Sequence, residues 1–355
     1  SYENNMTRDL NTWATWQETH RQPAIWRDWG ATLDVAGLRA WIAAQEFDEV
    51  WFCGAGTSAY IGDIIAASVK GTRSVPTTDI VANPTHILAG AKPLVVNFGR
   101  SGNSTESIGT LRALDALAPN APRINITCNK DGALAAHASG APTQVVVLPE
   151  ATHDAGFAMT SSFSTMLLTA LALFDAPSDF AARMSALADQ LDSLLPQFVA
   201  GSRPDRIVYV GSGSLAFAAR EAALKVMELS AGQMPALWDS SLGFRHGPKA
   251  FVADKTDITI FTSPNAPSRD YDADLAAELR VQFPHAKVET IGAGGDIDIA
   301  MPFGAVWAAP LCVAAAQVRG AMWSHELGLN VDDPFSGQST LSRVVSGVKL
   351  YPVAS

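Results

Sequence analysis

Along the first forty residues Trp13, Trp16, Ile25, Trp26 and Trp29 recur at helical spacings. That pattern predicts a helical segment, which Pro23 is expected to divide in two. Four tryptophans there suit a core or a subunit contact better than a cofactor box. From Glu49 the period changes. Glu49–Cys53 is a short apolar run, Gly54-Ala55-Gly56-Thr57-Ser58 a turn, and about Ala59 to Val69 a helix. Apolar runs at Leu94–Phe98, Ile124–Thr127 and Val145–Leu148 follow, with helical stretches between them. Short apolar strands alternating with helices predict an α/β fold, a parallel sheet covered on both faces.

The same order then recurs. Arg206–Val210 reads as a strand, Gly211-Ser212-Gly213-Ser214 as the turn, and Leu215 to Leu229 as the helix. Strands are expected at Ile258–Thr262, Val288–Ile291 and Ala305–Ala308. A long helix through roughly Phe180–Leu195 leads to Gly201-Ser202-Arg203-Pro204, a suitable hinge. The expected organisation is a helical segment over 1–40, one α/β domain over 41–198 and its copy over 199–355.

Composition supports two ordinary cores. The chain has 355 residues, 48% of them hydrophobic and 17% charged. Its formal charge of −10, from 35 acidic against 25 basic residues, argues against nucleic acid or an anionic membrane as partner. A small phosphorylated metabolite still fits, since it needs only a local nest of donors. The three cysteines, Cys53, Cys128 and Cys312, are widely spaced and form no CxxC or His/Cys cluster. No disulfide framework or metal site is expected. With no leader-like N-terminus and no run of 18 apolar residues, the cytoplasm is the expected compartment.

Gly54-Ala55-Gly56-Thr57-Ser58-Ala59 fits G-x-G-x-x-A, and Asp79 follows at a distance that suits a dinucleotide fingerprint. Against a nucleotide stands a second G-x-G-x-x-A at Gly211–Ala216, since two such sites in one short chain are improbable. A second loop points to phosphate instead. Leu94–Phe98 runs into Gly99-Arg100-Ser101-Gly102-Asn103-Ser104-Thr105 and then a helix. Free N–H groups at a helix N-terminus favour an anion, Ser101, Ser104 and Thr105 add hydroxyls, and Arg100 adds charge. Ordinary capping explains one such residue but not this density.

In the second copy Glu221, Lys225 and Glu228 stand at i, i+4 and i+7, on one helix face. A solvated salt-bridged stripe has the same spacing. The rest of that helix is apolar, however, so its charges need partners or a function. Downstream, His246 sits in Leu242-Gly243-Phe244-Arg245-His246-Gly247-Pro248-Lys249, on a turn. Glu228 and His246 together would supply the two proton-transfer groups that ring opening and proton movement between adjacent carbons require.

These residues resemble the SIS (sugar isomerase) family, whose members carry two such domains and bind phosphosugars. The isomerase half of glucosamine-6-phosphate synthase is similar over nearly the whole chain. Its KEIYEQP segment looks like Gln17–Pro23, and its CGTS like Ala55–Ser58. Gly99–Ser104 resembles its SQSGET loop, Glu221–Glu228 its EGALKLKE helix, and Arg245–Pro248 its KHGP turn. More similar still is the AgaS branch, of tagatose-6-phosphate ketose/aldose isomerases and galactosamine-6-phosphate deaminases. Phe98–Ser104, Gly156–Ser162, Asp332-Asp333-Pro334 and Arg343-Val344-Val345 carry that likeness.

The resemblance implies two tandem SIS domains, each a flavodoxin-like, doubly wound parallel sheet flanked by helices. It implies that Ser58, Ser101 and Ser104 hold a phosphate with Arg100 and the backbone at Gly99 and Gly102. Glu228 would shuttle a proton between C1 and C2, with Lys225 stabilising enolate charge and Glu221 orienting the sugar or that lysine. His246 would open the pyranose ring, reaching a neighbouring subunit's site in a homodimer. No cofactor is implied. Arg343 stands where the synthase has a Schiff-base lysine, and the chain carries no glutaminase domain. Both departures favour deamination of galactosamine-6-phosphate to tagatose-6-phosphate and ammonia, with hydrolytic loss of the amine. Aldose/ketose isomerisation, amino-sugar-phosphate cleavage and a non-catalytic phosphosugar sensor are the alternatives. Thr152–Thr160 and Ser240–Pro248 are the expected lids.

Overall fold

The computed structural model describes residues 1–199, 201–338 and 340–353. Its first sheet holds β1 (Glu49–Cys53), β2 (Thr72–Ser74), β3 (Pro93–Gly99), β4 (Arg123–Thr127) and β5 (Thr143–Val147). The second holds β6 (Arg206–Gly211), β7 (Ala236–Ser240), β8 (Thr256–Thr262), β9 (Lys287–Gly292) and β10 (Ile297–Asp298). All pairings are parallel, in the orders β2-β1-β3-β4-β5 and β10-β9-β8-β6-β7. Counted within each half, both sheets run 2-1-3-4-5, the flavodoxin-like order, with the switch point beside the first strand.

The helices that matter for the site are α1 (Ala14–Thr32), α2 (Thr57–Ala66), α3 (Thr105–Leu117), α4 (Ser161–Phe174), α5 (Phe180–Leu194), α6 (Ser214–Leu229), α7 (Ser268–Gln282) and α8 (Ala305–Glu326). α2 and α6 occupy matching places after the first strand of each half. Gly56 and Gly213, their N-caps, adopt φ +57° and +59°, a conformation that disfavours any side chain. Repeated backbone geometry at repeated sequence positions is the physical form of the duplication.

One hydrophobic cluster threads both halves, from Trp26, Phe52 and Ile126 to Tyr209, Phe261 and Trp323. The two sheets therefore share a core, and α6 is held rigidly against α2 and α8. By length and composition α8 is apolar enough to cross a bilayer, but it is packed inside this core. The three cysteines are free and buried; Cys53 and Cys312 pack as small apolar side chains, and Cys128 Sγ is hydrogen-bonded to Thr152.

Three expectations need correction. Ala305–Ala308 is the first turn of α8 and not a strand, because a short apolar run looks the same in a buried helix and a buried strand. Pro23 does not divide the N-terminal segment, as α1 runs through it. The carbonyl of Thr19, which Pro23 cannot serve, accepts instead from Gln22 Nε2 at 2.9 Å. Nor is Thr152–Thr160 free to act as a lid. The Asp154 carboxylate accepts from Thr160 N and Ser162 N, both at 2.9 Å, and Glu18 accepts from Ala155 N at 2.6 Å. The edge strands β2, β7 and β10 lack a long apolar run, so their pattern is faint.

Candidate active site

A cleft of about 330 Å³ opens at the C-terminal ends of β1 and β3, at the switch point of the first sheet. The turn Ala55–Ser58 forms one wall and the loop residues Gly99, Arg100, Ser101 and Ser104 another. Leu224 and Glu228 enter from α6 in the second half, and Ser342, Arg343 and Val345 close over from the C-terminal tail.

Ser104 occupies the N-cap position of α3 without making a side-chain cap bond, so its hydroxyl is left over for a ligand. Ser58 is almost fully buried at the start of α2. Gly102 lies behind the wall: at φ +68° it turns the loop, and a Cβ there would press on Leu134 and Thr127 at 3.1 Å. Arg100 is buried and spends its guanidinium on the carbonyls of Gly156 (2.8 Å) and Phe157 (3.0 Å). It thus brings a positive charge to the cleft floor while fixing the neighbouring loop. Burial, and then the charge of Arg343, draw Arg100 below its ordinary value. Two guanidinium groups brought this close favour an anion between or beside them.

The charged face of α6 is not a solvated stripe. Glu221 and Lys225 are fully buried, and Glu228 alone of the three lines the cleft. Lys225 Nζ reaches Glu228 Oε1 at 2.5 Å and Glu221 Oε1 at 3.3 Å. Thr57, from the first half, completes the network. Its hydroxyl donates to Glu221 Oε1 at 3.0 Å and accepts from Lys225 Nζ at 3.1 Å. Burial, which Lys225 opposes, raises the Glu221 pKa to about 7. For Lys225 burial acts downward, but its two carboxylates prevail and the net direction is upward. The ammonium is therefore committed to holding Glu228, and it does not itself face the cleft.

His246 lies elsewhere. It is exposed between two short 3₁₀ turns, Gly243–Arg245 and Pro248–Phe251, and is not among the residues lining the cleft. Arg245 and Lys249 on either side are tied to Glu278 of α7 at 3.1 and 2.9 Å, which fixes the turn's shape.

Within one chain, then, the fold gathers Ser58, Gly99, Arg100, Ser101, Ser104 and Glu228 around one cleft, with Lys225 and Glu221 behind it. Reading the sequence for the site missed Thr57 and the apolar lining of Phe157, Met159 and Leu224. A signal for Thr57 existed: it precedes Ser58 in a turn already rich in hydroxyls.

The SIS domain model matches residues 46–176. D-galactosamine-6-phosphate deaminase AgaS of Escherichia coli is 39% identical over 374 residues, covering 96% of each chain. The protein of the same name from Shewanella sp. (strain ANA-3) is 35% identical over 95% of this chain and 92% of its own. A crystal structure of tagatose-6-phosphate ketose/aldose isomerase from Escherichia coli matches with a TM-score of 0.85 at 34% identity, over 98% of this chain and 99% of that one. With that likeness running nearly end to end, and with both sheets present, this chain belongs to the AgaS family of SIS-domain enzymes.

Proposed function

We propose that the protein converts galactosamine-6-phosphate and water to tagatose-6-phosphate and ammonia. The region 41–198 holds the phosphate, through Ser58, Ser101, Ser104 and the backbone near Gly99 and Gly102. The region 199–355 carries the reacting groups. What supports this most is the situation of Glu228, whose carboxylate lines the same cleft as those serines and is braced by Lys225 from behind.

His246 opens the pyranose ring, exposing an aldehyde at C1. Glu228 then takes the C2 proton, and the electron pair moves to give an enolamine. Returning the proton to C1 leaves an imine at C2. Water adds to that carbon, the C–N bond breaks and ammonia departs, leaving the ketose. Such positioned proton transfer is worth about 10² to 10⁴ in rate. Since His246 is exposed and outside the cleft of its own chain, the reading assigns it to the cleft of a second copy in a homodimer. The cytoplasm is the compartment that the reading assigns.

A coupled assay for ammonia, run over the hexosamine 6-phosphates, tests this. Ammonia from galactosamine-6-phosphate with stoichiometric ketose is expected. A folded protein that releases none from any hexosamine 6-phosphate would overturn it. The name of the Escherichia coli isomerase with the similar structure favours a second reading, aldose/ketose isomerisation in the same cleft. Product analysis separates the two, because only deamination yields ammonia.

A further inference from the structure

The second half has a counterpart of the phosphate cleft, and it is filled from within. β3 and β8 are each followed by a five-residue loop and a helix: Arg100–Ser104 before α3, and Ser263–Pro267 before α7. Matched from the strand ends, Ser101 and Ser104 correspond to Pro264 and Pro267. The second loop has thus lost two hydroxyls and two backbone N–H groups. It could not cradle a phosphate as the first loop does.

Asp272, in the second turn of α7, takes the anion's place. Its Oδ1 accepts from Ser212 Oγ at 2.9 Å and Ser241 Oγ at 2.6 Å, and its Oδ2 accepts from Ser263 N at 2.9 Å. These donors follow β6, β7 and β8 directly. β6 and β8 are the counterparts of β1 and β3, whose ends open onto the first cleft, and β7 is the counterpart of the neighbouring edge strand β2. Asp272 is wholly buried, and its three partners are neutral donors. A carboxylate so placed meets what a bound oxyanion meets at strand ends: hydroxyls and an amide. In the first half the matching position is Gly109. Gly109 has no side chain, so α3 offers no carboxylate there, and a Cβ would meet Leu350 at 2.9 Å and Val81 at 3.0 Å.

We propose that Asp272 is a built-in anion occupying the second half's counterpart of the phosphate site, and that removing its carboxylate opens a site for a free one-carbon carboxylate, formate. The second half is thereby a closed, self-liganded copy, and one phosphosugar binds per chain. The comparison rests on the proposed phosphate site of the first half, while the test of Asp272 uses neither phosphate nor turnover.

Thermal melts of the wild-type protein and of Asp272→Ala are compared across a formate series, with chloride holding ionic strength constant. The variant, which keeps Cβ and lacks only the carboxylate, is expected to melt lower in chloride and to recover several degrees with formate, saturably, while the wild type stays put. Asp272→Asn, which keeps the side-chain volume and leaves no cavity, is expected not to respond. An equal response of wild type and Asp272→Ala, or no response of either, would overturn the proposal. So would a formate response in Asp272→Asn. Should Asp272→Ala not fold from chloride, refolding yield becomes the readout: recovery in formate supports the built-in anion, and equal yields in the two salts overturn it.

Discussion

The hydroxyl of Thr57 donates to Glu221 Oε1 at 3.0 Å, joining the first strand–helix turn of one half to the charged helix of the other. The same hydroxyl accepts from Lys225. Under the proposed function Thr57 is a positioning residue, acting on Glu228 through Lys225. Thr57→Val removes a hydrogen bond to each of two charged groups and leaves Lys225 free to shift. Since such bonds are worth about 1.5–3 kcal/mol, kcat should fall about ten- to hundredfold, with KM little changed. Thr57→Ser should restore most of the loss. Steady-state kinetics of the three proteins check this, and a rise in KM alone would move Thr57 into substrate binding.

Ser104 separates binding from folding. Its hydroxyl makes no cap bond to α3, so Ser104→Ala should leave the melting temperature nearly unchanged. Loss of one donor to a phosphate dianion should weaken inorganic phosphate about ten- to hundredfold. Calorimetric titration measures the second quantity and thermal melting the first. A variant that melts much lower but binds phosphate normally would make Ser104 an ordinary cap.

Stability should depend on pH through two buried carboxyl groups. Burial raises Glu221 to about 7, and burial with the nearby Asp154 raises Glu18 to about 7. Each folded-state pKa lies above the unfolded value near 4.5. The folded protein thus holds more protons than the unfolded one between those limits. The stability each group contributes is complete below about pH 4.5 and is lost as the pH rises through about 7. Urea denaturation across that range should show the wild type losing ground to Glu221→Gln as pH rises, with the difference levelling off above 7. A difference that does not vary with pH would mean that Glu221 titrates as an ordinary carboxylate.

The proposed homodimer, with His246 reaching the partner's cleft, predicts complementation. His246→Ala and Glu228→Gln chains are each expected to be nearly inactive. Mixed after unfolding and refolding, they should recover about a quarter of wild-type activity, because half the dimers are mixed and each of those has one intact site. If His246 acts within its own chain, no activity returns.

Much of this was legible in the chain itself. Apolar runs such as Leu94–Phe98 lie at the centre of a sheet and are buried on both faces, so they stand out without a structure. Ser101 and Ser104 stood out by sheer density of hydroxyls, and both line the cleft. Other features depend on contacts that no local pattern carries. Thr57 gains its importance only where α2 meets α6, 164 residues apart in the chain at Glu221. Pro23 read as a break because its rescue by Gln22 is a side-chain bond. Arg100 lines the cleft, as its place in the loop suggests, but the carbonyls its guanidinium holds, those of Gly156 and Phe157, lie more than fifty positions away. Periodicity reports which face is buried, and not which polar groups find each other there.

The most direct test of the account compares wild type with Glu228→Gln for ammonia release from galactosamine-6-phosphate. Inorganic phosphate binding and melting are followed in parallel, to show that the cleft and the fold survive. The account predicts that the wild type yields ammonia and tagatose-6-phosphate in equal amounts. The variant should be slower by about 10² to 10⁴ while still binding phosphate. Turnover by Glu228→Gln at the wild-type rate would contradict it.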